Sequence, residues 1–401
     1  MLDPLDALDL AGDNGLVIVA DGDGLAAVPA VRDPGGQWRR ARAGDGVAEA
    51  LLNVLAEQSG TVTRGGFAIQ SWTQRIALGE RAIDVDQTNE SVIVGDTAVV
   101  KWAAHLQDGP HPAPRRIAVL REAGFDGMPN PWGLVTWRPV DGEETLVASV
   151  DEYLPGAVDG WTWAVEMITD AASDRHPDRA FNAARQVGSL VAELHAALAY
   201  TVTVATQEDA VRWRDAALQT LEVVCALPDS SSVAVTRQRR DEIEAILGRL
   251  STLAGTPVIE GHGDLHVGQV LRSEGRFVVT DFDGNPVLQA HERMRPIPAA
   301  LDVAGISQSL AHAAIVAAKH TDLDPETLAG IDALLRMAFL DAYAGQIAEL
   351  GHAALYDPAA LYAFRIQQVL REIIYAARHL PRWMYVPDAA LPALLDEGDP
   401  S

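Results

Sequence analysis

The chain predicts an α+β fold in which a β-rich first part gives way to a mostly helical second part. Three observations carry that prediction. Short β-branched and apolar runs cut by turn dipeptides fill the stretch up to Gly156, and after it apolar residues recur three and four apart over long segments. A 401-residue chain with 48% hydrophobic and 22% charged residues is also ample for a sizeable packed core. The expected organisation is an N-terminal cap over 1–84, a mixed sheet ending in a hinge over 85–155, and a helical lobe over 156–401.

Taken in order, the runs LVIVA, AAVPAV, FAIQSW and RIALG are separated by DGDG, DPGG and RGG, a strand-and-turn pattern around one helix near VAEALLNVLAEQ. ESVIVGDTAVVKWAAHL reads as two strands joined at Gly95-Asp96, because β-branched residues alternate on either side of a turn pair. APRRIAVLREAG predicts a helix ended by Gly124, and WGLVTWRP and ETLVASVDEYLPG predict two further strands. Helices are then expected over 159–172, 178–199, 207–225, 234–253, 299–319, 324–348 and 357–378, interrupted by a strand-like segment over 257–281. No internal repeat is visible.

Charge and cysteine usage narrow the function classes. With 31 Lys+Arg against 56 Asp+Glu the formal net charge is −25, which disfavours nucleic acid and anionic membrane surfaces as partners. The single cysteine, Cys225, permits no internal disulfide, and its apolar neighbours predict a packed thiol in a reducing compartment. MLDPLDALDL is acidic where a signal peptide is basic, and no run approaches eighteen apolar residues. The expectation is a cytoplasmic protein, a monomer or weak homodimer.

The chemistry concentrates in HGDLHVGQV and VVTDFDGNP. Asp264 falls in a loop after TPVIEG, Gln269 follows five positions on, and Asp281 ends a strand-like run. Phosphoryl transfer needs a carboxylate to take the proton of an attacking hydroxyl, and carboxylate and amide oxygens to hold a hard ion such as Mg²⁺. Upstream, DQTNESVIVGDTAVVKW places a polar turn before a strand that carries Lys101. A lysine in the middle of an apolar strand is costly unless it meets a partner charge, and phosphate is such a partner.

HGDLHxxQ followed by DFDGNP resembles the eukaryotic-like kinases that include aminoglycoside phosphotransferases and bacterial maltokinases. The resemblance implies a bilobal, protein-kinase-like fold that uses ATP and Mg²⁺. It implies Asp264 as catalytic base, Gln269 and Asp281 as magnesium ligands, and His262 as a support for the loop backbone. It makes Gln87, Thr88, Asn89 and Ser91 the phosphate loop and Lys101 the strand lysine, with Glu122 on the next helix as its ion-pair partner. Glu152, Tyr153 and Leu154 fall where hinge backbone groups meet the adenine edge, and Asp159 to Trp161 match a DGW that recurs in maltokinases.

Substrate groups are implied in LDVAGISQSL and FRIQQVLREIIYAARHLPRWMYVP: Asp302, Gln308, Gln368, Arg371, Glu372 and Trp383, together with His266 of the loop. Gln368, Arg371 and Glu372 lie three and four apart and share a helix face suited to sugar hydroxyls. Relative to the maltokinase pattern, Gln308 replaces an arginine and Gln368 a lysine, while Asp302 and Glu372 remain. Loss of two cations with the carboxylates retained suits an acceptor that carries an ammonium group. The pattern resembles the actinobacterial glucosamine kinases, and a small amino sugar is the expected acceptor; maltose or an aminoglycoside is the alternative within the class. Three readings of other classes remain: a metal-dependent hydrolase built on His262, Asp264, His266, Asp281 and Asp283; a calcium loop over Asp281, Asp283, Asn285 and Glu292; and a binding-only kinase fold.

Overall fold

The computed structural model describes residues 1–22, 24–83, 90–106 and 109–398 and divides into two compact units. Unit 1 comprises Met1–Arg121, Met128–Gly156 and Asp281–Arg295; unit 2 comprises Glu122–Gly127, Ala157–Thr280 and Pro296–Ser401.

Among the described residues, unit 1 holds a four-stranded sheet of β1 (Pro4–Asp9), β2 (Asn14–Asp21), β3 (Gly24–Arg32) and β4 (Trp38–Arg40), in that order. A second, seven-stranded sheet takes β5 (Gly60–Arg64), β6 (Phe67–Ser71), β7 (Glu80–Ala82), β8 (Glu90–Val94), β9 (Ala98–Trp102), β10 (Pro131–Trp137) and β11 (Thr145–Glu152). Its order is β5-β6-β10-β11-β9-β8-β7, antiparallel throughout. Helix α1 (Val47–Ala56) buries Leu51, Leu52 and Leu55 in one core with Ile18 of the smaller sheet and Phe67, Ile69, Trp102 and Trp132 of the larger. Each leucine so buried contributes on the order of 2 kcal/mol, enough to tie the two sheets together. Helix α2 (Ala113–Glu122) follows β9, and Gly124 beyond it adopts φ 76° as the chain leaves the helix.

The hairpin of β8 and β9 turns where the sequence places it. Gly95 and Asp96 have φ of 58° and 50°, and Thr97 N–H donates to the Val94 carbonyl at 3.2 Å. Along β8, β9 and β11 the residues Val92, Val94, Ala98, Val100, Trp102, Ala148 and Val150 enter the core. Strand alternation turns Ser91, Lys101, Ser149 and Asp151 to the opposite face, with Ser91 and Ser149 directly across from Lys101.

Unit 2 is mostly helical, and α3 (Gly160–Ala172), α4 (Pro177–Leu198), α5 (Gln207–Cys225), α6 (Ser231–Gln238) and α7 (Arg240–Gly248) precede the loop that contains Asp264. The strands are the short pair β12 (Thr203–Val204) and β13 (Pro257–Val258) and the hairpin β14 (Val270–Ser273) and β15 (Arg276–Val279). After the short α8 (Ala290–Arg293), which belongs to unit 1, come α9 (Ala299–His320), α10 (Pro325–Glu349), α11 (Leu361–Arg378) and α12 (Tyr385–Glu397). The helix expected over 234–253 is broken into α6, α7 and a 3₁₀ turn, Arg249–Leu253. Helix α12 lies beyond the last helix expected from the sequence; buried Val386, Leu391, Leu394 and Leu395 hold it despite Pro392.

One helix passes a composition test for a membrane span. Helix α9 is long and apolar enough to cross a membrane by composition, with a mean hydropathy of 1.3 over its best window. Yet 78% of that window is buried inside the protein, and from Ala299 to Leu310 only Leu301 is less than buried. A helix that is apolar on all sides is one surrounded by its own fold.

Candidate active site

In unit 2 the loop from Gly261 to Gln269 is held from beneath by α9. Asp302 accepts the His262 N–H and the Gly263 N–H, each at 2.8 Å, and its Oδ2 lies 3.3 Å from His195 Nε2. His262 is buried: its Nδ1 accepts the Asp264 N–H at 3.4 Å, so its Nε2 donates to the Thr280 carbonyl at 3.0 Å. Gly305 lets α9 approach so closely that a Cβ there would stand 2.0 Å from the Leu265 carbonyl oxygen. The DGW match acquires a physical content of the same kind. Asp159 caps α3 through the Thr162 N–H at 3.0 Å; a Cβ at Gly160 would meet the Val267 carbonyl at 1.6 Å; and Trp161 stacks on His266 with ring centroids 6.1 Å apart.

Asp264 faces a cluster from α11 and the turn after it. Burial pushes the Glu372 carboxyl up to about 7; the Asp264 carboxylate adds to that rise, while the Trp383 indole N–H and Gln368 oppose it as donors. Gln368 Nε2 lies 3.4 Å from Glu372 Oε1, and Trp383 packs edge-on against Trp161 at 5.6 Å. Burial depresses the Arg371 guanidinium, with Asp264 opposing. Thus Asp264, Gln368, Arg371, Glu372 and Trp383 are brought together, with His266 tied in through Trp161. His266 Nδ1 is used within the loop, where it accepts the Gly268 N–H at 3.0 Å. A separate groove of about 700 Å³ lined by Phe125, Glu193, Tyr200 and His352 shares none of these residues.

Unit 1 carries a second charged centre. Lys101 Nζ lies 3.9 Å from Asp151 Oδ2, on the neighbouring strand and the same sheet face. Burial works against the ammonium, but Asp151, Asp281 and Asp283 outweigh it and hold its pKa above the ordinary value. Burial and the Asp281 carboxylate raise Asp283, with Lys101, Arg293 and Arg116 opposing. Asp281 sits at φ 66°, a left-handed conformation that costs a non-glycine residue on the order of 1 kcal/mol. Buried Arg116 of α2 ties this turn down by donating to the Phe282 carbonyl at 2.9 Å and the Arg293 carbonyl at 3.0 Å. His111, which the sequence reading did not single out, accepts the Ala113 N–H through Nδ1 at 3.3 Å and places Nε2 3.9 Å from Asp283 Oδ2. Burial lowers it to about 4, helped by Arg293 and Arg116, so it is neutral near pH 7.

Several sequence expectations are corrected. Within unit 1 the ion-pair partner of Lys101 is Asp151, and Glu122 is exposed at the end of α2. Ser91 is buried in β8 opposite Lys101 rather than in a loop. The Glu152 N–H donates to Asn130 O and the Tyr153 N–H to Thr97 O, both at 2.9 Å, which leaves the carbonyls of this stretch and the half-buried Leu154 as the hinge groups for an adenine edge. Asp302 and Gln308 present no surface to a sugar, at 0% and 1% exposure. Asp302 is the loop's anchor, and Gln308 is satisfied between His312 Nε2 at 3.2 Å and Arg365 Nε at 3.1 Å. Gln87, Thr88 and Asn89 lie outside the described residues.

The same geometry gives the residues of two other readings different tasks. His262 and His266 spend ring nitrogens on backbone groups, and no cluster of three or more His, Cys, Asp or Glu is placed to ligate a metal among the described residues. For the calcium loop, Asn285 Oδ1 accepts the Val287 N–H at 3.0 Å and Glu292 caps the short α8. A kinase-type magnesium site asks for less: one or two side-chain oxygens, the rest coming from phosphate and water, and within unit 1 the turn at Asp281 and Asp283 offers such carboxylate oxygens.

A lysine on an antiparallel sheet, a strand-end aspartate and a loop aspartate on a helical unit are the parts that the resemblance to the eukaryotic-like kinases calls for, and they fit a phosphotransferase. No family model matches the chain. A glucosamine kinase of Mycolicibacterium smegmatis is 63% identical over 395 residues, spanning 98% of each chain. One of Streptacidiphilus jiangxiensis is 44% identical over 403 residues, covering 98% of this chain and 91% of its own. A solved glucosamine kinase in complex with glucosamine, ADP and inorganic phosphate is 41% identical, with a TM-score of 0.87 over 98% of this chain and 94% of that one. The chain belongs to the glucosamine kinase family.

Proposed function

We propose that this protein transfers the γ-phosphoryl group of ATP to the primary hydroxyl of glucosamine, giving glucosamine 6-phosphate, and that it does so in the cytoplasm. The observation that carries the reading is the Glu372 carboxyl, buried beside Asp264 and held by an indole and an amide. A buried carboxyl of raised pKa gains most from a ligand that brings a positive charge; a neutral sugar brings none. The family relatives and the glucosamine in the solved one support the same acceptor.

Each side chain then has a physical task. Asp264, oriented by the loop that Asp302 anchors, accepts the proton of the acceptor hydroxyl as the new O–P bond forms and the bond from the γ-phosphorus to the bridging oxygen breaks, releasing ADP. Arg371, Gln368 and Trp383 fix the sugar so that one hydroxyl meets Asp264, which converts a collision into a positioned encounter. Lys101, kept charged by three carboxylates, attracts the nucleotide phosphates. Asp281 and Gln269 are the residues that would hold Mg²⁺, whose charge when bound neutralises the phosphate oxygens.

The test is an acceptor screen with ATP and Mg²⁺ comparing glucosamine, glucose, maltose and an aminoglycoside. Glucosamine should give the highest kcat/KM, and best turnover of maltose or of the aminoglycoside overturns the assignment.

A further inference from the structure

The two sheets of unit 1 end in four edge strands, and three of these are blunted. β1 carries Pro4, a register shift between Pro4 and Asp6, and the charges of Asp6 and Asp9. β4 and β7 are three residues long, the first with Arg39 and Arg40, the second with Glu80 and Arg81. Short length, proline, irregular register and charge are what keep an open edge from pairing with another chain. β5 differs. It runs in unbroken register along β6, its centre is Thr61-Val62-Thr63, its one charge, Arg64, stands at the end, and all five residues are exposed.

The hydrogen-bond phase of the sheet shows which groups of β5 face outward. The Trp72 N–H donates to the Trp132 carbonyl and the Arg138 N–H to the Gly66 carbonyl, so in the register between them Ala68 and Gln70 turn their backbone groups toward β10. Phe67, Ile69 and Ser71 therefore bond β5, through Arg64, Val62 and Gly60. Thr61 and Thr63 are left with N–H and C=O groups that point away from the sheet, and among the described residues no backbone group pairs with them. Val62 stands beside Ile69 of the core, yet 36% of it is exposed because no further strand covers it.

We propose that β5 is a self-association surface, and that its occupant is β5 of a second copy of this chain, paired antiparallel about a two-fold axis through Val62. In that register Val62 meets the partner's Val62, Thr61 the partner's Thr63, and Gly60 the partner's Arg64. Each Thr61–Thr63 pair exchanges both of its backbone hydrogen bonds, so every outward group of the two threonines is satisfied, while the valines form the closer, non-hydrogen-bonded pair. A two-fold contact must be self-complementary, and Gly-Thr-Val-Thr-Arg reads nearly the same in both directions. β-branched residues face β-branched residues, and the guanidinium faces a glycine in place of a like charge. Two chains of net charge −25 repel each other, and this edge offers the approach only a positive charge. The contact of one short strand is small, so the dimer is weak and reversible. β5 carries no residue assigned to nucleotide, sugar or catalysis, so the inference stands apart from the choice of acceptor.

The experiment is sedimentation equilibrium of the full chain from micromolar to several hundred micromolar concentration. The average mass should climb toward twice that of the chain as concentration rises. Thr63→Pro and Val62→Lys should each raise the dissociation constant about tenfold or more, the first by removing an outward N–H that the monomer does not use, the second by setting two ammonium groups opposite each other. Both should keep the parent kcat and KM, which shows that they are folded. Register is read by disulfide cross-linking in a Cys225→Ser background. Val62→Cys should link into a dimer, and a mixture of Thr61→Cys with Thr63→Cys should do the same. Thr61→Cys alone should not, because its counterpart lies beyond the Cα separation of about 7 Å that a disulfide can span. The proposal is overturned by a chain that stays monomeric at every concentration, by a dimer that survives either Thr63→Pro or Val62→Lys in folded form, or by a dimer in which Val62→Cys does not cross-link or Thr61→Cys alone does. Should one of the two substitutions fail to fold, the other and the cross-links decide by the same criteria.

Discussion

The two charged centres of this protein are built in opposite ways. In unit 1 the cation is the fixed part: Lys101 stands on a sheet face and is outnumbered by Asp151, Asp281 and Asp283. In unit 2 a carboxyl is the unsettled part: Glu372 is pushed up to about 7 beside Asp264, with Arg371 near Asp264. Carboxylates outnumber Lys101 in the first, with Arg116 and Arg293 set against Asp283, and they outnumber Arg371 in the second, so added positive charge is what each can take up beside those carboxylates. The first asks beside a lysine that also attracts phosphate, which suits a divalent ion arriving with a nucleotide. The second asks among a tryptophan, an amide and a guanidinium, which suits an ammonium on a polar ring. A surplus of buried charge is thus a statement about what the partner must bring, and its surroundings say in what form.

Substitutions can break that comparison at either end. The largest effect is expected from Asp264→Ala, which should reduce kcat by about 10³-fold or more while nucleotide-induced thermal stabilisation persists. Near-normal turnover would remove Asp264 from the chemistry. Lys101→Met should follow, raising KM for ATP about tenfold or more with KM for glucosamine nearly unchanged; a selective rise in the sugar KM would mean the centres have been assigned to the wrong ligands. Glu372→Gln should come third, raising KM for glucosamine roughly 10- to 100-fold and leaving turnover of glucose alone, so the preference between the two sugars collapses.

Glu372 also gives that contrast a pH signature. Its carboxyl stands above the ordinary value of 4.5, so in the ligand-free protein it takes up a proton as pH falls through about 7, and an ammonium must displace that proton. KM for glucosamine should therefore rise from pH 7.5 to about 5.5, and Glu372→Gln should flatten the rise. The linked effect on stability has the opposite direction: the folded chain holds the proton more tightly than the unfolded one, so this contribution is present at acid pH and is lost as pH rises from the ordinary value toward about 7.

How much of this was legible depended on whether the deciding contact was local. Lys101 could be read from one strand, because alternation alone sets its side chain apart from Val100 and Trp102, and the turn at Gly95 and Asp96 is written in two adjacent residues. Its partner could not: Asp151 meets Lys101 only once β11 lies beside β9 in a given register, and Glu122 looked nearer in sequence. Gln368, Arg371 and Glu372 were legible as one helix face, whereas the proton-bearing state of Glu372 depends on Asp264, more than a hundred residues upstream. The Asp302–His195 contact spans α9 and α4 and leaves no mark in either segment alone.

The sharpest discrepancy lies in α9, and it supplies the smallest predicted effect. Asp302 and Gln308 were expected as sugar ligands because LDVAGISQSL resembles a maltokinase substrate segment. A composition apolar on every side is the mark of a helix enclosed by protein, where polar groups serve their neighbours. Gln308 lies between His312 and Arg365, and burial, Arg365 and His266 lower His312 to about 3, so the histidine is neutral and accepts from the amide. Gln308→Met keeps the volume and removes both hydrogen bonds. It should lower the melting temperature by several degrees, the cost of an orphaned buried donor being about 1–3 kcal/mol, and change the ratio of kcat/KM for glucosamine and glucose by less than about twofold. A tenfold shift in that ratio would place Gln308 in contact with the sugar after all, and the ammonium preference would then have to be shared between α9 and α11 rather than carried by Glu372.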